Sequence, residues 1–152
     1  MALLAGIILT ASATHAPSIR LDRSTPAWDR VTREIRAQGL GNCYHAAVTL
    51  ALNARALGLE NVSVVQGTLM GTGALEGVRF GHSWIEADVP GGTTRIVLDY
   101  SSGNSLVMDR DTYRFLQHAQ DVHEYSVPEA RSLAANGDYG PWTVDVLHAW
   151  HP

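Results

Sequence analysis

The chain has 152 residues, 45% apolar and 17% charged, with a formal net charge of −4. That length supports one domain, residues 1–152, with a sizeable core, and the composition is globular rather than disordered. All eleven basic residues are arginines, none in a run, and no nucleic-acid-binding motif is present, which sets nucleic acid aside as a partner. The single cysteine, Cys43, excludes an internal disulfide and any zinc site that needs two cysteines from one chain.

Residues 1–13 are almost wholly apolar but too short to span a bilayer as a helix, so no stable membrane span is expected. The stretch has the length of a signal-peptide core, and Ala11-Ser12-Ala13 has the small residues of a cleavage site, yet no Lys or Arg precedes it. Two readings stand for residues 1–16: a signal or anchor, or a buried strand or short helix. The expected compartment is the cytoplasm, which keeps a lone thiol reduced. Export follows if residues 1–13 act as a signal.

Pro17 to Pro26 is polar and turn-rich, and Ser24-Thr25-Pro26 opens a helix that runs to about Gln38. After a break at Gly39 to Asn42, the apolar positions Cys43, Ala46, Ala47, Leu50, Ala51, Ala54 and Leu57 recur at helical spacing, which predicts a buried helix ending at Gly58. Asn42 is a good N-cap for it. Residues 62–67 alternate as a strand, and the glycine-rich Thr68 to Gly77 reads as a continuation of that strand into a flexible loop, either plain surface or a mobile cover over a site. Residues 78–87 and 93–100 form a hairpin around Pro90-Gly91-Gly92. Asp109 caps a short helix to about Gln117, with Tyr113 and Leu116 or Phe115 inward. Residues 121–126 form a strand, and Ser126 to Glu129 has the spacing of a capping box that starts a further helix. Thr143 to Trp150 is a last strand or a packed tail. The fold class is therefore α+β: a helix bearing Cys43, packed on an antiparallel sheet of about 62–67, 78–87, 94–100 and 121–126.

Cys43 opens its helix, where unpaired amides and the positive end of the dipole favour a thiolate and can hold an oxyanion. The hairpin places His82 roughly opposite position 99 or 100, a geometry in which Asp99 fixes the imidazole tautomer and the other ring nitrogen faces Cys43. Asn42 or Gln38 is a candidate oxyanion donor beside the Cys43 amide, with Asn42 equally suited to capping alone. Trp84 shares a strand face with His82, as pocket wall or as core. His45 reads as structural or exposed. His148 and His151 make a weak metal pair without a third ligand, and Cys43, His82 and Asp99 could together hold zinc, although a helix-start thiol fits nucleophilic catalysis better.

Gly41-Asn42-Cys43-Tyr44 resembles the small-polar-Cys-aromatic motif of papain-like enzymes. His82-Ser83-Trp84-Ile85-Glu86 is similar to the His-x-Trp-x-Glu strand of their transglutaminase-like branch, and Val97-Leu98-Asp99 to its hydrophobic-Asp strand. The resemblance covers about residues 40–100. It implies a transglutaminase-like fold with Cys43 as nucleophile, His82 as general base and acid, and Asp99 as orienting carboxylate. Members include transglutaminases, protein and peptide amidases, leader peptidases of lasso-peptide pathways and arylamine acetyltransferases. The expected function is a cysteine hydrolase that cleaves a peptide or isopeptide amide through a thioester. The same intermediate serves an acyltransferase or transglutaminase, and a non-catalytic binding or structural protein retaining the fold is a third class. No cofactor is required. The expected partner is a peptide or protein substrate, and the oligomeric state stays open.

Overall fold

A computed structural model of the protein describes residues 21–39, 42–100, 103 and 105–149. The apolar stretch 1–13, Leu40, Gly41, most of the 101–105 loop and His151 lie outside the described residues. The domain is α+β, with a five-stranded antiparallel sheet in the order β4-β3-β2-β1-β5. The strands are β1 (Glu60–Met70), β2 (Arg79–Asp88), β3 (Arg95–Asp99), β4 (Leu106–Asp109) and β5 (Gln120–Ser126). The helices are α1 (Pro26–Ala37), α2 (Cys43–Leu52), α3 (Arg110–Leu116), α4 (Val127–Ala134) and α5 (Val144–His148). Among the described residues no helix is long and apolar enough to cross a membrane.

Strand alternation divides the core between the two faces of the sheet. On one face Val64, Ile85, Ala87, Ile96 and Leu98 pack against Trp28, Val31 and Ile35 of α1, Ala46, Ala47 and Leu50 of α2, and Ala130 of α4. On the other face Val65, Leu69, Trp84 and Val97 pack around Tyr113 of α3. The two helices flanking the main core are capped as their sequences dictate. Thr25 accepts from the Trp28 amide at the start of α1, and Ser126 and Glu129 form a full capping box at α4.

Several elements differ from the sequence expectation. The helix begun by Cys43 stops at Leu52, because the Asn53 side chain donates to the Thr49 carbonyl, and a short 3₁₀ turn over Ala54–Leu57 follows, ended by Gly58. β1 runs on through Thr68, Leu69 and Met70, paired with Arg79 to Gly81. The strand thus continues into the glycine-rich segment, as that stretch allowed, and residues 71–78, with a 3₁₀ turn at Gly73–Leu75, connect the hairpin. β4 is an added strand, four residues long, on the free edge of β3. Phe115 and Leu116 are exposed, leaving Tyr113 as the inward residue of α3. The last segment is helical rather than extended. The Gln66 carboxamide accepts from the Trp142 amide and so fixes the entry to α5, and Val146 is then buried against β2.

Two glycines decide how closely the site can assemble. A Cβ on Gly81 would lie 2.8 Å from both the Tyr44 hydroxyl and the Val146 carbonyl oxygen. The bare backbone there lets Tyr44 of α2 lie on β2, and so brings its neighbour Cys43 beside His82, the neighbour of Gly81. Gly67, paired with His82 across the ladder, leaves room for the Trp84 ring, whose Cη2 would be 3.1 Å from a Cβ at that position. Gly81→Ala is expected to lower unfolding stability by about 1–3 kcal/mol, the range of overpacking in a filled interior, since the Val146 carbonyl is backbone and cannot rotate away. Urea denaturation checks this, and a variant as stable as the wild type would contradict the close approach.

Candidate active site

β3 pairs with β2 only from Ile85 to Asp88. Continued by one step, that register sets Trp84 opposite Asp99, so His82 is a diagonal rather than a direct neighbour of Asp99, as the sequence had suggested. The two side chains share the sheet face opposite α2, and the diagonal distance suits a hydrogen bond. His82 Nε2 lies 2.8 Å from Asp99 Oδ2. The upstream half of β2 has no described strand on its β3 side. At that margin the N-terminus of α2 brings Cys43 close enough to the His82 ring to raise its proton affinity. Nε2 is taken by Asp99, which leaves Nδ1 as the ring nitrogen open to the sulfur.

The structure therefore brings Cys43, His82 and Asp99 together. Cys43 and His82 are each only 7% exposed, so they meet largely out of water. Burial pulls the imidazole toward its neutral form. The charge and hydrogen bond of Asp99, followed by the contact with Cys43, more than offset that and push His82 up from 6.5 to about 10. At neutral pH the ring favours its protonated form, held between the Asp99 carboxylate and the Cys43 sulfur.

The remaining candidates fall elsewhere. The Asn42 oxygen accepts from the His45 amide at 3.0 Å and caps α2. The amides of Cys43 and Tyr44 precede the first intrahelical bonds and point out of the helix N-terminus beside the thiol. Gln38 is exposed at the C-cap of α1. Trp84 is fully buried, and its indole N–H donates to Glu86 Oε1 at 3.1 Å, so it supplies no donor to an oxyanion. Its ring instead backs His82, stacked with centroids 6.1 Å apart. His45 is buried, edge-on to Tyr139 at 4.7 Å, and that burial lowers its proton affinity. Among the described residues no three His, Cys, Asp or Glu are placed to hold a metal ion. The hairpin connection after β1 borders a cleft of about 560 Å³ lined by residues 70–73, 76, 77, Leu116 and His118, none of them a member of the trio.

Three further residues surround the trio. The Tyr113 hydroxyl donates to Asp99 Oδ2 at 3.0 Å, and its ring lies 5.4 Å from that of Trp84. Glu86, fully buried, is held by the Arg114 guanidinium through Nε at 2.8 Å and Nη2 at 2.9 Å. Arg114 Nη2 also reaches Glu124 at 2.7 Å. Sequence placed Tyr113 inward on its helix and Glu86 in a strand motif, but gave neither a partner. Partners from 14 and 28 residues away leave no local spacing signal. The chain matches no family model, no curated protein and no solved structure at a significant level.

Because the folded protein holds the His82 proton more tightly than the unfolded chain, the resulting stability is whole below about pH 6.5 and is lost as pH rises through about 10. Wild-type stability in urea should therefore decline between pH 7 and 10, and Asp99→Asn, lacking the carboxylate charge, should flatten that decline. Equal slopes in the two proteins would contradict the electrostatic coupling.

Proposed function

We propose that the protein is a cysteine hydrolase that cleaves a peptide or isopeptide amide through a thioester on Cys43. The observation that carries this reading is the relay in which His82, bonded to Asp99 through Nε2, presents its other nitrogen to a thiol at a helix N-terminus. The resemblance of residues 40–100 to the transglutaminase-like branch of papain-like enzymes supports it, as does the α+β architecture with the Cys43 helix against an antiparallel sheet.

Each group has a definite task. With its proton on His82, the Cys43 sulfur attacks the amide carbonyl carbon, and the oxyanion that forms faces the first-turn amides of α2. His82 then gives its proton to the leaving nitrogen as the C–N bond breaks, leaving a thioester and a neutral imidazole. The imidazole takes a proton from water, the hydroxide adds to the thioester, and the acid leaves as Cys43 recovers its proton share with His82. Asp99 stays ionised throughout and stabilises the imidazolium at both proton transfers.

The test is intact-mass spectrometry of protein quenched during incubation with a pool of peptide and isopeptide amides. Wild type should carry acyl adducts on Cys43 and release acid products. Cys43→Ala should lose both, and His82→Ala should slow turnover by about 10²–10⁴-fold, the span of a lost general base. Amide cleavage that survives in Cys43→Ala would overturn the reading.

A further inference from the structure

Asp99 Oδ2 accepts from two buried donors at once, His82 Nε2 at 2.8 Å and the Tyr113 hydroxyl at 3.0 Å. Tyr113 is 1% exposed, and its hydroxyl can only donate to a carboxylate. Burial first, then the nearby charges of Asp99, Cys43 and Glu86, hold the phenol well above its usual range, so it remains a donor at any working pH. A carboxylate oxygen shared between two donors gives less to each. A weaker hold at Nε2 lowers the ring's affinity for the proton on its other nitrogen, the one that passes to the leaving amine.

We propose that Tyr113 is a positioning residue that acts through Asp99, drawing charge from Oδ2 and so loosening the carboxylate's hold on the His82 Nε2 proton. Its catalytic consequence rests on the hydrolase reading, but the coupling itself is a property of the three side chains. The placement is built into α3. Asp109 caps the helix by accepting from the Thr112 amide at 3.0 Å, and the adjacent Arg114 anchors it to buried Glu86, so the phenol is delivered to Asp99 by a helix fixed at two points. Trp84, bonded to the same Glu86, packs beside both rings, its centroid 6.1 Å from that of His82 and 5.4 Å from that of Tyr113.

The experiment is the ¹H–¹⁵N spectrum of the His82 ring at neutral pH in the full chain. Tyr113→Phe keeps the ring that packs on Trp84 and removes only the donor, so the Nε2 proton should move downfield as its bond to Asp99 strengthens. An unmoved or upfield signal would overturn the proposal. Should that variant fail to fold, 3-fluorotyrosine installed at position 113 keeps both ring and hydroxyl. Its more acidic phenol should draw more charge from Oδ2 and move the same proton upfield, and no movement would likewise overturn the proposal. Acylation of Cys43 is scored separately, so an insensitive Nε2 proton in a protein that still forms the thioester refutes the role of Tyr113 alone.

Discussion

The hydrogen bond between His82 and Asp99 is the constraint on which the site depends. It joins the end of β3 to the upstream half of β2 and lies on the sheet face opposite the main core. A buried imidazole would ordinarily be neutral. Here the carboxylate reverses that preference and favours the protonated ring, with one nitrogen left for Cys43. Without Asp99, Cys43 would lie beside a neutral ring.

The rest of the fold can be understood as the support for that bond. Gly81 admits Tyr44 onto the backbone of β2 and sets the spacing between the helix start and the histidine. On the other face Arg114, with Arg95 Nε at 3.8 Å, offsets the charge of Glu86, which is costly to bury alone. Glu86 in turn fixes the Trp84 indole against His82. Removing Arg114 would therefore affect the histidine through two buried neighbours and not by contact. A polar network of this kind, with its charges matched, gives a ring one orientation where an apolar wall would allow several.

Much of the arrangement was legible from residue order. Cap residues are local signals, and Thr25, Asn42, Asp109 and the Ser126 to Glu129 box marked helix starts that the structure contains. Strand alternation and the Pro90-Gly91-Gly92 turn identified the hairpin that carries His82 and Asp99. What sequence did not yield depended on distant partners. The register slipped by up to two residues because β3 begins only at Arg95, after a longer turn than the glycines suggested. Leu106 to Asp109 is too short to announce itself and becomes a strand only because β3 offers an edge. Val144 to His148 is helical, with the Val146 carbonyl and side chain laid against the bare backbone of Gly81, a long-range contact that no local pattern announces. The donor from Tyr113 and the clamp from Arg114 are likewise invisible until α3 is laid on the sheet.

If His82 activates the buried thiol as proposed, the rate of Cys43 alkylation by iodoacetamide across pH, in the wild type and in His82→Ala, reads it most directly. Rapid alkylation at and below neutral pH is expected in the wild type and not in the variant, because an imidazolium stabilises a neighbouring thiolate. Slow alkylation with the same pH profile in both proteins would contradict it, and would make Cys43 a structural residue.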